Sequence, residues 1–95
     1  MSLAAPVAPR RRLQPTERLV RAFAEVHEEL VGTLLGQLGS HEDAQDVAQE
    51  AFLKCWRARR KLRRVRNVKA WIFRIALNAA RDLQRNAWRR KSRPL

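Results

Sequence analysis

Sixteen Lys and Arg residues fall between positions 54 and 95 against one acid, Asp82, a local charge of +15. Side chains of this type contact phosphates and release counterions, so the binding they give falls steeply with salt. The basic residues come in two groups. A dense run holds Arg59, Arg60, Lys61, Arg63, Arg64 and Arg66, and behind it Lys69, Arg74, Arg81 and Arg85 recur at helical spacing, which predicts one shared side. Trp71 and Asn78 lie among these charges. An indole stacks on an unpaired base, and an Asn side chain offers a base edge both a donor and an acceptor. A surface that binds only phosphates needs neither. The plainer alternatives are a solvated Arg face, a Trp71 packed on the core and an Asn78 that is only a polar residue on a helix surface.

The segment upstream has the opposite character. Residues 22–53 carry seven acids and no Lys or Arg, a local charge of −7. Asp46, Gln49 and Glu50 fall on one side of a helical pattern there. Such a stripe repels nucleic acid and suits a basic protein partner, or else it serves solubility and the helix dipole. Residues 1–21 hold five Arg and one Glu, a charge of +4, and the 95-residue chain as a whole stands at +12.

The composition narrows the function classes. Cys55 is alone, so no intramolecular disulfide forms. With His27 and His41 as the only histidines, no zinc motif is present. No apolar run approaches the roughly 20 residues of a membrane span. Arg10, Arg11 and Arg12 follow a short Ala/Pro segment, the reverse of a signal peptide. These features together point to a cytoplasmic protein. No nucleophile elbow, P-loop or paired-carboxylate arrangement appears, and Tyr is absent, so the expectation is a protein that is not an enzyme and has no cofactor or metal.

The elements that must position these residues are helices. Residues 1–15 hold Pro6, Pro9, Pro15 and a triple Arg, and read as a flexible basic tail. Thr16 is the expected N-cap of a first helix, whose apolar face runs Leu19, Phe23, Val26, Leu30 and Leu34, with Val20, His27, Val31, Leu35 and Leu38 beside it. Gly39 is the expected stop. Ser40 then caps a second helix, with Ala44, Val47, Ala48, Ala51, Phe52, Cys55 and Trp56 at i, i+3, i+4, i+7, i+8, i+11 and i+12. Residues 57–69 carry eight Lys or Arg and no acid, which predicts a self-repelling loop, with extension of the second helix into its first residues as the alternative. Asn67 caps a third helix from Val68, with an apolar stripe of Val68, Ile72, Ile75, Ala76, Ala79 and Leu83. Three amphipathic helices with short links predict an all-α three-helix bundle over residues 16–93.

Two stretches carry a family resemblance. Asp43-Ala-Gln-Asp46-Val-Ala-Gln49-Glu50-Ala-Phe52-Leu-Lys-Cys-Trp56 resembles the region 2.2 signature of sigma-70-type transcription initiation factors, and Lys69-Ala-Trp71-Ile-Phe-Arg74-Ile-Ala-Leu-Asn78-Ala-Ala-Arg81-Asp82 resembles regions 2.3 and 2.4. The short connector between them is similar to the extracytoplasmic-function (ECF) subfamily. The likeness covers about residues 17–93.

The resemblance implies partners. It gives Asp43, Asp46, Gln49, Glu50, Leu53 and Lys54 to docking on the clamp helices of the largest RNA polymerase subunit. It gives the loop and the third helix to the promoter minus-ten element, read as an opened strand with one base flipped into a pocket. Arg63, Arg64, Arg66, Asn67, Lys69 and Asn78 match that place, and Trp71 matches the melting edge. It also implies an anti-sigma factor as a further partner, since such factors are often held by a protein that covers these same surfaces. Family members carry a second helical domain, region 4, with no counterpart here, so the expectation is an isolated region 2 domain from a truncated chain.

Overall fold

The computed structural model describes residues 14–92. The expected tail lies outside the described residues, except for Gln14 and Pro15. Three α-helices, α1 (Pro15–Leu38), α2 (His41–Arg57) and α3 (Val68–Ser92), are joined by a two-residue link and by a basic connector. The all-α bundle is as expected, and the described residues contain no strand.

The first helix begins one residue earlier than Thr16. Pro15 takes the first helical position, where its missing N–H is no loss and its fixed φ suits the helix. Gln14 is therefore the cap, and its N–H donates to Glu17 Oε1 at 3.1 Å. At the far end Gly39 adopts φ 73°, and its N–H closes on the Leu35 carbonyl at 2.8 Å. This left-handed turn favours glycine. Ser40 follows in an extended conformation, and its Oγ accepts the Asp43 N–H at 3.2 Å to start α2. The stop and the cap together fold α1 and α2 back on each other.

The core has an uneven division of labour. Leu19, Phe23, Val26, Leu30 and Leu34 of α1 are buried. Opposite them α2 offers Ala44, Val47, Ala48, Ala51 and Cys55, and α3 offers Ile72, Ala76, Ala79 and Ala80. One helix supplies the bulk, and two Ala-rich faces let the backbones approach it closely. Val20 departs from the expected apolar face, since half of it is exposed, and His27 is exposed as well. The end of α1 is tied to α3 by a reciprocal amide pair. Gln37 Nε2 donates to Gln84 Oε1 at 3.2 Å, and Gln84 Nε2 donates to the Gln37 carbonyl at 3.0 Å. From Gln84 to Arg89 every residue of α3 is exposed.

The connector is not the open loop its charge predicts. Arg59–Arg64 form a 3-10 helix. The reason lies in Leu62, which is fully buried against α1 and α2. A 3-10 helix has three residues per turn, so residues i and i+3 eclipse. Arg59 and Leu62 thus share the inward edge, and the remaining cations are splayed onto two outer edges.

Candidate functional site

The outer edges of the connector carry Arg60 with Arg63 and Lys61 with Arg64, all four exposed. Arg60 and Arg63 line a shallow hollow. Arg66 is exposed beyond them. Arg59 turns the other way. Its guanidinium stands 4.4 Å above the Trp56 ring, and Nη1 donates to the Trp56 carbonyl at 2.8 Å, closing the end of α2. Arg59 is therefore structural, and the exposed basic run is shorter by one than its composition suggests.

Asn67 leads out of the connector. Its Oδ1 accepts the Ala70 N–H at 3.0 Å, so its carbonyl oxygen is committed to capping α3. Along α3, Arg74, Asn78, Arg81 and Arg85 follow at i, i+4, i+7 and i+11, all exposed. At 3.6 residues per turn they lie within a wedge of roughly 60°, on the face away from Ile72, Ala76 and Ala79. Arg85 shares its charge with Asp82, with Nη2 to Oδ1 at 2.8 Å. Lys69 does not join this stripe. It is turned roughly 140° from Arg74 and pairs with Glu25 of α1 at 3.2 Å. The expected single side of four cations is corrected to three arginines with Asn78. Trp71 is half-buried against the core beside this stripe.

The acidic side of α2 is equally well formed. Asp46, Gln49 and Glu50 are exposed, and Leu53 beside them is 47% exposed. Lys54 is half-buried and pairs with Glu50 at 3.2 Å, while Asp43 is half-buried at the helix start. Next to this stripe a hollow of about 390 Å³ opens between α1 and α2, lined by Phe23, His27, Gln45, Ala48, Gln49 and Phe52. Its floor belongs to an aromatic series, with Phe23 edge-on to Phe52 at 5.1 Å and Phe52 stacked on Trp56 at 6.1 Å.

Sequence reasoning missed Arg18, Glu25 and this hollow. Gln45, Gln49 and Phe52 do show i, i+4, i+7 spacing, but Phe23 and His27 face them only once α1 folds back. Arg18 and Glu25 carry no local signal at all. Among the described residues no cluster of His, Cys, Asp and Glu is placed to hold a metal ion, and no helix is long and apolar enough to cross a membrane.

The family model for sigma-70 region 2 matches residues 19–90. Among curated proteins, the RNA polymerase sigma-H factor of Pseudomonas aeruginosa is 38% identical over 53 residues, which is 56% of this chain and 28% of the relative. The chain thus spans well under half the length of that relative. No solved structure matches it. The matched span runs from the first buried residue of α1 through the connector to the exposed end of α3, so both candidate surfaces lie inside it, and the chain belongs to the sigma-70 region 2 family.

Proposed function

We propose that this domain docks on RNA polymerase core through α2 and holds the promoter minus-ten element, as an opened strand, with the connector and α3. The observation that carries the reading is the placement of opposite charge on separate helix faces. Asp46, Gln49 and Glu50 form one exposed stripe, and Arg74, Asn78, Arg81 and Arg85 form another. A purely nucleic-acid-binding protein has no use for the first stripe, and a purely protein-binding one has no use for the second.

In this reading the acidic stripe meets a basic coiled coil, the clamp helices of the largest polymerase subunit, with Leu53 as its apolar contact. Arg63, Arg64, Arg66, Arg74 and Arg81 neutralise phosphates of the strand. Asn78 contacts a base edge, and Trp71 lies at the edge of the melted region. Flipping a base costs a few kcal/mol of stacking, which contacts to its Watson–Crick edge must return. The domain itself breaks no bonds, since the polymerase supplies the chemistry. Work on promoters places it in the cytoplasm. An ECF-type factor, silenced by an anti-sigma protein over these same faces, fits the short connector.

The test is a pull-down with polymerase core, with and without a pre-opened minus-ten oligonucleotide. Asp46→Lys with Glu50→Lys abolishes core capture and leaves the fold intact; undiminished capture would sink the docking half. Asn78→Ala lowers discrimination between minus-ten sequences by about 1–3 kcal/mol, more than it lowers total affinity. Equal losses on every sequence would mean that binding is not base-specific.

A further inference from the structure

Arg18 belongs to neither stripe, yet its side chain crosses from α1 to the connector. Nη1 donates to the Leu62 carbonyl at 2.9 Å and Nη2 to the Val65 carbonyl at 3.3 Å, in a partly buried setting. The Leu62 carbonyl also accepts the Val65 N–H at 3.1 Å. On charge alone this placement is unfavourable, because residues 57–69 already hold eight Lys or Arg. Geometry accounts for it. A planar guanidinium presents a fork of donors to two acceptors, which an ammonium group does not do.

The position of this fork gives it a consequence. Val65 leaves the 3-10 helix in an extended conformation, φ −95° and ψ 122°, and the chain is irregular until Asn67 caps α3. The two carbonyls held by Arg18 are thus the last anchored points before that cap. Arg63 and Arg64 lie between them, and Arg66 follows directly. Leu62 anchors the 3-10 helix itself, but past it the fork is the polar tie that holds the like-charged chain at Val65 before the cap.

We propose that Arg18 is a positioning residue for base recognition. It touches no DNA, and it fixes the connector so that Arg63, Arg64 and Arg66 meet the opened strand in one geometry. This rests on the reading of the connector and α3 as the minus-ten surface. Preorganisation of this kind raises affinity for the matching sequence by the fraction of time the competent shape is populated.

The experiment compares the 95-residue chain with Arg18→Met, which keeps the apolar stem, and Arg18→Lys, which keeps the charge without the fork. In the free protein both variants exchange the Val65 amide about fivefold faster, with α2 amides unchanged. Both also lose about fivefold in discrimination between matched and scrambled minus-ten strands. The slope of log affinity against log salt stays at the wild-type value, because no phosphate contact has been removed. Rescue by Arg18→Lys, or a slope that falls by about 0.7 in Arg18→Met, would mean a direct phosphate contact and overturn the proposal. Unchanged Val65 exchange would overturn it too. If the wild type itself shows no sequence preference, the minus-ten reading falls and takes the proposal with it. If the wild type discriminates and Arg18→Met discriminates equally, the proposal alone falls.

Discussion

Single residues here divide into those that face solvent and those that face inward to hold the fold. Cys55 shows the second kind at its plainest. It is fully buried, and loss of solvation pushes its thiol from 9.0 up to about 11. The unfolded chain therefore ionises this group first. The contribution of the buried neutral thiol to stability is whole below pH 9 and is lost as pH rises toward about 11. Urea midpoints measured between pH 8 and pH 11 should show this decline, and Cys55→Ala should show a flatter one from a lower start. An unchanged slope in the variant would assign the alkaline loss to other groups. Arginines divide in the same way. Arg63 and Arg74 look outward, whereas Arg18 and Arg59 spend their guanidinium groups on backbone carbonyls. Composition gives no means to tell these apart, because the partner of Arg18 lies 44 residues away.

At the scale of elements, the helices were readable and the connector was not. Gly39 and Ser40 announce a stop and a start through local chemistry alone, and Asn67 does the same for α3. The stripes on α2 and α3 follow from the 3.6-residue period, so Asp46, Glu50, Arg74 and Asn78 fall where their spacing puts them. Lys69 falls outside the stripe on the period alone, roughly 140° from Arg74; its pairing with Glu25 of α1 is the contact across helices that periodicity does not contain. The connector defeats local reasoning more thoroughly. Its charge argues for a loop, and one apolar side chain, Leu62, overrules it by filling the space between α1 and α2. Leu62→Ala should cost about 2–5 kcal/mol in urea unfolding, as a large-to-small core change does. A cost under 1 kcal/mol would mean that the connector's polar contacts hold it without this plug.

For the whole molecule, attraction and repulsion between charges pull in different directions. Only three ion pairs occur among the described residues, all at the surface, and pairs of this kind contribute little. The net charge of +12 is therefore mostly self-repulsion. Added salt relieves it within a Debye length of about 10 Å at 0.1 M. A single salt series should accordingly give opposite trends. The urea midpoint should rise with sodium chloride while, on the proposed function, affinity for the minus-ten strand falls. A midpoint that falls along with affinity would show that the ion pairs matter more than the repulsion.

The buried set, among the described residues, contains no polar or charged side chain. Asp46, Gln49, Glu50, Arg74, Asn78 and Arg81 all stand on its outside. Exchanging one of them for another polar residue leaves the core untouched, and surface changes of this sort usually alter stability by under about 0.5 kcal/mol. The scaffold and the message it carries are thus written in separate alphabets. If the proposed reading holds, a new promoter preference is open to such a domain one substitution at a time, with each intermediate still folded.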